Sequence, residues 1–154
     1  MDNYIQTPQQ VSEQPTSDER LLAMFSHFSI FIGGIILPII LYFVQKGKSK
    51  FVMFHALQSI FFHLLYLVFI FVLVVFLVVV LLATGAFTLA NSRSMGPETG
   101  MGFIVGIIIF YGGLIISVLS VIAYGIFMGI KAYGGENKKY FLVGNWAWKK
   151  VYGN

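Results

Sequence analysis

The side chains that could do chemistry in this sequence are few and close together. Its three histidines, His27, His55 and His63, all lie inside strongly apolar stretches. His55, Ser59 and His63 recur at i, i+4 and i+8, which on a helix makes one stripe, with Gln58 and Tyr66 beside it. Such a stripe can line a polar cavity or meet a partner helix. It can also be satisfied internally, by its own members or by the carbonyl that Pro38 frees. A metal shared by His55 and His63 fails on distance, because eight residues of helix separate them by about 12 Å. His27 on another helix could pair with either one, as in a bis-histidine haem site. Ser117, Ser120 and Tyr124 share a face of a later helix, but a serine nucleophile needs a base held by a third group. No Asp, Glu, Lys or Arg lies within the apolar stretches to fill that role. Cysteine is absent, and no GxxxxGK[ST] phosphate loop occurs. The sequence therefore assigns no catalytic residue, no cofactor and no metal ligand, and it reads as a non-enzyme. The candidate site is a buried polar stripe of His27, His55, Gln58, Ser59 and His63.

The elements that must position these residues follow from composition. Of the 154 residues, 58% are hydrophobic and 10% charged, against about 45–50% and about 25% in soluble domains. A soluble fold of this size has too much surface to hide the excess. The apolar residues form three blocks, Leu21 to Val44, Phe51 to Phe87 and Met101 to Ile130. Each exceeds the roughly 20 residues that cross about 30 Å of hydrocarbon. The expected fold class is an all-α integral membrane protein with about three transmembrane helices, over 21–44, 53–86 and 101–130, in a membrane domain of residues 18–140.

Residues 1–17 are polar, lack the basic start and short apolar core of a signal peptide, and read as a disordered tail. Thr16 and Glu19 have capping-box spacing at the start of the first helix, and Pro38 predicts a kink late in it. Lys46, Lys48 and Lys50 fill a tight connection to the second block. That block lacks Gly and Pro from Phe51 to Ala83, so one helix is expected, with a polar base and a lipid-like upper part. Thr84 to Gly100 has loop chemistry. In the third block, the pairs Gly102/Gly106 and Gly125/Gly129 have the small-xxx-small spacing of closely packed helices. Residues 141–154 mix aromatic rings with Lys149 and Lys150, as expected of an interfacial segment. The net charge of +4 comes from lysines in the first loop and the C-terminal tail. The positive-inside rule then places both in the cytoplasm and, with three spans, the N-terminus outside, in the inner membrane.

With these residues located, the chain resembles a bacterial family of small membrane proteins of unknown function. That family is itself distantly similar to the membrane subunit of the chloroplast inner-envelope protein import machinery. The resemblance runs from Asp18-Glu19-Arg20 through Ala23, His27, Gly34 and Pro38. It continues with the lysine loop and with Phe51-Val52-Met53-Phe54-His55-Ala56-Leu57-Gln58, and ends at Lys131-Ala132-Tyr133-Gly134. It implies a membrane fold, and by analogy a pore or translocation component.

Three functions are thus expected in order. The first is assembly with itself, as a homo-oligomer, or with other membrane subunits in the lipid bilayer. A translocation component comes second and a bis-histidine haem protein third. The positive charge reads as topology and anionic-lipid contact, with no nucleic-acid partner.

Overall fold

A computed structural model describes residues 14–90 and 97–153, and the chain is all-helical among them. The tail expected to be disordered falls largely outside the described residues. Five helices follow one another: α1 (Ser17–Ile32), α2 (Ile36–Val44), α3 (Lys50–Ala90), α4 (Pro97–Tyr133) and α5 (Gly144–Tyr152).

Helix α1 starts on the expected capping box. The Thr16 N–H donates to Glu19 Oε2 (2.7 Å), and the Glu19 N–H donates to Thr16 Oγ1 (3.3 Å). Two of the helix's orphan donors are thereby satisfied. The Glu19 carboxyl lies below its ordinary range because hydrogen bonds from Ser49, first, and Thr16 favour its charged form. It also helps push the Tyr152 phenol up to about 12, behind the larger effect of burial. The start of α1, the start of α3 and the end of α5 therefore meet at one end of the molecule, here called the base.

The first apolar block is not one span. It breaks at Gly33-Gly34-Ile35, where the N–H groups of Gly33 and Gly34 both donate to Ser29 O (2.9 and 2.6 Å). Gly34 takes a left-handed φ of 52°, which favours glycine because it has no Cβ. What remains is a 16-residue helix, about 24 Å long, and a 9-residue helix, packed against each other as a hairpin. Among the described residues two helices, not three, are long and apolar enough to cross a membrane: Lys50–Phe87 and Met101–Tyr133. Nor does Pro38 kink a helix. It occupies the third position of α2, where the missing N–H would have had no intrahelical partner anyway.

Helix α3 is continuous, as expected, and runs on through Gly85 to Ala90. The expected loop is correspondingly shorter, since α4 begins at Pro97 and only 91–96 lie between the two helices, outside the described residues. The hairpin and α5 organise the base. Helix α1 packs on both α3 and α4, while α2 and α5 pack on α3. Ala23, Phe51, Val52 and Ala132 form one buried cluster. Phe54, Leu57 and Ala147 form another, flanked by Tyr42, Phe61, Trp148 and Tyr152. Above the base the picture inverts. The most apolar stretches of α3 and α4 are wholly unburied within the chain, a surface that only lipid or other membrane helices can cover.

The expected glycine pairs divide along the same line. A Cβ at Gly129 would stand 2.5 Å from Phe28 Cε1 on α1, and one at Gly125 would stand 3.6 Å from the His27 carbonyl oxygen. These two glycines let α1 approach α4 closely. Around Gly102 and Gly106 nothing lies within 4 Å. Gly129→Ala should therefore destabilise the base by about 1–3 kcal/mol through overpacking. Gly106→Ala should be neutral or stabilise α4 by about 0.5–1 kcal/mol. Thermal melts of both variants in detergent check the contrast. A second expectation concerns pH. A carboxyl held low in the fold contributes stability above its ordinary pKa of 4.5, and loses that contribution as pH falls through the lower folded value. Glu19→Gln should flatten this part of the stability profile between pH 5 and pH 3, read as Tm against pH.

Candidate functional site: a buried histidine–tyrosine network

Four of the five residues in the expected polar stripe converge inside the base. His27, His55, Gln58 and Ser59 are all buried. Helix α1 supplies His27 and α3 supplies the other three, one turn apart. His27 is the junction. Its Nε2 lies 2.9 Å from His55 Nδ1, and its Nδ1 lies 3.0 Å from Ser59 Oγ and 3.1 Å from Tyr140 Oη. The two imidazoles meet edge to face, with ring centroids 5.2 Å apart.

The protons in this chain are interdependent. A neutral imidazole has one donor and one acceptor nitrogen. If His27 Nε2 donates to His55, His27 Nδ1 must accept from the hydroxyls of Tyr140 and Ser59. If His55 donates instead, His27 Nδ1 becomes the donor, and at least one hydroxyl must turn its oxygen toward it. Burial, and secondarily Tyr124, raise the Tyr140 phenol above its ordinary range, so Tyr140 keeps its proton and serves as donor or acceptor. The outer end of the chain is open: His55 Nε2 is buried and makes no hydrogen bond.

Gln58 does a different job. Its Oε1 accepts the Tyr140 N–H at 2.7 Å, and its Nε2 donates to Lys138 O at 3.1 Å. One side-chain amide thus clamps the segment between α4 and α5 by two backbone groups. Tyr140 is held further by stacking on Phe62 (centroids 4.5 Å) and by an edge contact with Tyr124. The next residue, Phe141, donates its N–H to the Tyr124 hydroxyl at 3.3 Å. At Gly144 a Cβ would meet the Lys139 backbone at 2.8 Å and Gln58 Oε1 at 2.9 Å. A bare backbone is required there for α5 to follow the clamp.

His63 is peripheral to the cluster. Its Nδ1 lies 2.7 Å from its own helix's Ser59 carbonyl oxygen, and its Nε2 is buried without a partner, as is the Tyr66 hydroxyl. Ser117 and Ser120 donate to the carbonyls of Leu114 and Ile116 in their own helix. That is ordinary behaviour for serine in an apolar helix.

The distances also bear on ligand binding. Nitrogens that share one metal at about 2.0–2.1 Å stand more than 3 Å apart in tetrahedral geometry, and about 4 Å apart across a haem iron. His27 and His55 are closer than that, and both nitrogens of His27 are engaged. The His27–His55 pair is thus a hydrogen bond, with no gap for a haem plane between these two rings.

Tyr140, Lys138 and Gly144 went unread in the sequence. Tyr140 stands 113 residues from His27, and nothing local distinguishes it from the other aromatic residues of the tail. The C-terminal segment does not merely lie along an interface. Its buried face, with Ala147 and Trp148, packs on Phe54 and Phe61 of α3.

A small all-helical membrane protein is thus defined, with two long apolar helices and a sealed polar interior at one end. The chain belongs to the magnetosome magnetite crystal formation protein family (MamF/MmsF), whose profile matches residues 18–147. That stretch holds every member of the network. The resemblance to a small bacterial membrane-protein family is thereby given its identity, while the further likeness to chloroplast import machinery finds no support. No curated protein matches the chain. No solved structure matches it either.

Gln58→Leu should strand the Tyr140 N–H and the Lys138 carbonyl, at about 1–3 kcal/mol for each unpaired group. Tyr140→Phe should cost only about 0.5–1.5 kcal/mol, because Ser59 still faces His27. Amide hydrogen exchange at residues 138–144 should rise in the first variant and change little in the second.

Proposed function

We propose that this chain is a non-enzymatic component of the magnetosome membrane, which contributes to magnetite crystal formation by assembling with itself or with other membrane subunits. The family match supports the setting. The observation that supports assembly is the contrast between the two ends of the molecule. His27, His55, Gln58, Ser59 and Tyr140 are tied together in the base, whereas the most apolar stretches of α3 and α4 are not buried by any other part of the chain among the described residues. Gly102 and Gly106 leave one face of α4 open to close approach.

The same arrangement revises the expected orientation. Both ends of the α1–α2 hairpin are polar, and its tip carries exposed Phe31, Ile32 and Ile36. The hairpin dips into the bilayer and returns, so the start of α1 lies on the side of the lysine loop. With two spans, the C-terminus lies on that side as well. The lysines then mark the cytoplasmic face.

Extraction in mild detergent followed by native mass spectrometry tests the assembly. Oligomers or stable hetero-complexes are expected, and a strictly monomeric chain with no partner would refute it. Because the chain has no cysteine, single cysteines test the topology directly. Ser17→Cys and Lys48→Cys should react with a membrane-impermeant maleimide from the same side, and Ser94→Cys from the other.

A further inference from the structure

Helix α5 divides its residues sharply. Gly144, Ala147, Trp148 and Val151 turn toward α3, Lys149 and Lys150 occupy the outer face, and Trp146 lies at the border, half-exposed with its ring against Phe61. Just before α5, Phe141 and Leu142 are 89% and 69% exposed, and Trp146 is 54% exposed. Large apolar side chains so open in the most tightly clamped part of the protein need a partner. From Asn137 to Asn154 the chain carries Lys138, Lys139, Lys149 and Lys150 and no acidic residue.

The height of this patch in the fold indicates what covers it. Trp146 rests on Phe61, with ring centroids 3.9 Å apart, and the unbroken apolar run of α3 begins three residues later at Leu64. Phe141 is tied to Tyr124, nine residues or about 13 Å up α4 from Tyr133. From this level α5 runs back toward the base, where Tyr152 meets Phe54. Its lysines therefore lie farther from the hydrocarbon than its tryptophan does. Aromatic rings at the hydrocarbon boundary with lysines on the aqueous side match the profile of a bilayer leaflet.

We propose that Phe141, Leu142 and Trp146 form an anchor inserted at the boundary of the leaflet on the lysine side, and that Lys138, Lys149 and Lys150 select anionic lipid headgroups there. This rests on the reading of α3 and α4 as membrane spans and not on the assembly, so monomeric protein serves for the test. Through Tyr140, which meets both His27 and Gln58, the anchor is joined to the buried network.

The two tryptophans of the chain, Trp146 and Trp148, are both in α5, which makes the anchor observable. The full-length Trp148→Phe variant, one chain per nanodisc, reports on Trp146 alone. In discs containing phosphatidylglycerol, Trp146 should be quenched by chain-brominated lipid and shielded from acrylamide. In phosphatidylcholine discs bromine quenching should be weaker, and in Lys138→Gln/Lys149→Gln/Lys150→Gln the difference between the two lipids should vanish. Equal bromine quenching in both lipids, or full access of acrylamide in anionic discs, overturns the proposal. So does shielding from both quenchers, which would mean that protein covers the patch. Should Trp148→Phe unfold, a spin label at Phe141→Cys in the otherwise unaltered chain gives the same contrast through its oxygen and nickel-chelate accessibilities.

Discussion

Polar side chains buried in so apolar a chain are costly to leave unpaired, because an unmade hydrogen bond there costs more than a well-made one contributes. His27 is where that constraint is met. Its two nitrogens reach His55 and Ser59 on α3 and Tyr140 in the segment after α4. With α1 packed against α4 through Gly125 and Gly129, one imidazole lies at the junction of every element of the base except α2 and α5. Those two are placed indirectly, α2 by the turn at Gly34 and α5 by the Gln58 clamp and Gly144.

The network explains why the base is compact while the rest of the chain is not. Hydrogen bonds give this end direction and register that close-packed Leu and Val do not provide. From Leu67 to Ala83 α3 carries no polar side chain to align, and there the helices are left to the bilayer. A chain of this kind is rigid where it meets the aqueous side and depends on its surroundings within the membrane. Within the base the His27–His55 contact is spent on structure.

Much of this was legible in the residues. The capping box at Thr16 and Glu19, the unbroken α3 and the membrane class follow from local spacing and hydropathy, which need no knowledge of neighbours. The i, i+4 stripe singled out His55 and Ser59, because helix geometry alone puts them on one face. The first apolar block is where hydropathy misleads. A 24-residue apolar run satisfies the length criterion whether or not it turns back, and Gly33-Gly34 inside it weighs little in a hydropathy window. The glycine spacings were equally ambiguous. Gly102/Gly106 and Gly125/Gly129 look alike on paper, yet only the second pair has a helix against it.

The sequence by itself determined that the chain is helical, membrane-bound and poor in catalytic groups, and which face of α3 is polar. These are properties of composition and of period. The tertiary structure alone decided that the first apolar block is a hairpin, that His27 and His55 bond to each other, and that Tyr140 closes the network. The last two depend on contacts between residues 28 and 113 positions apart. Such contacts arise from how helices pack and leave no periodic trace in the chain.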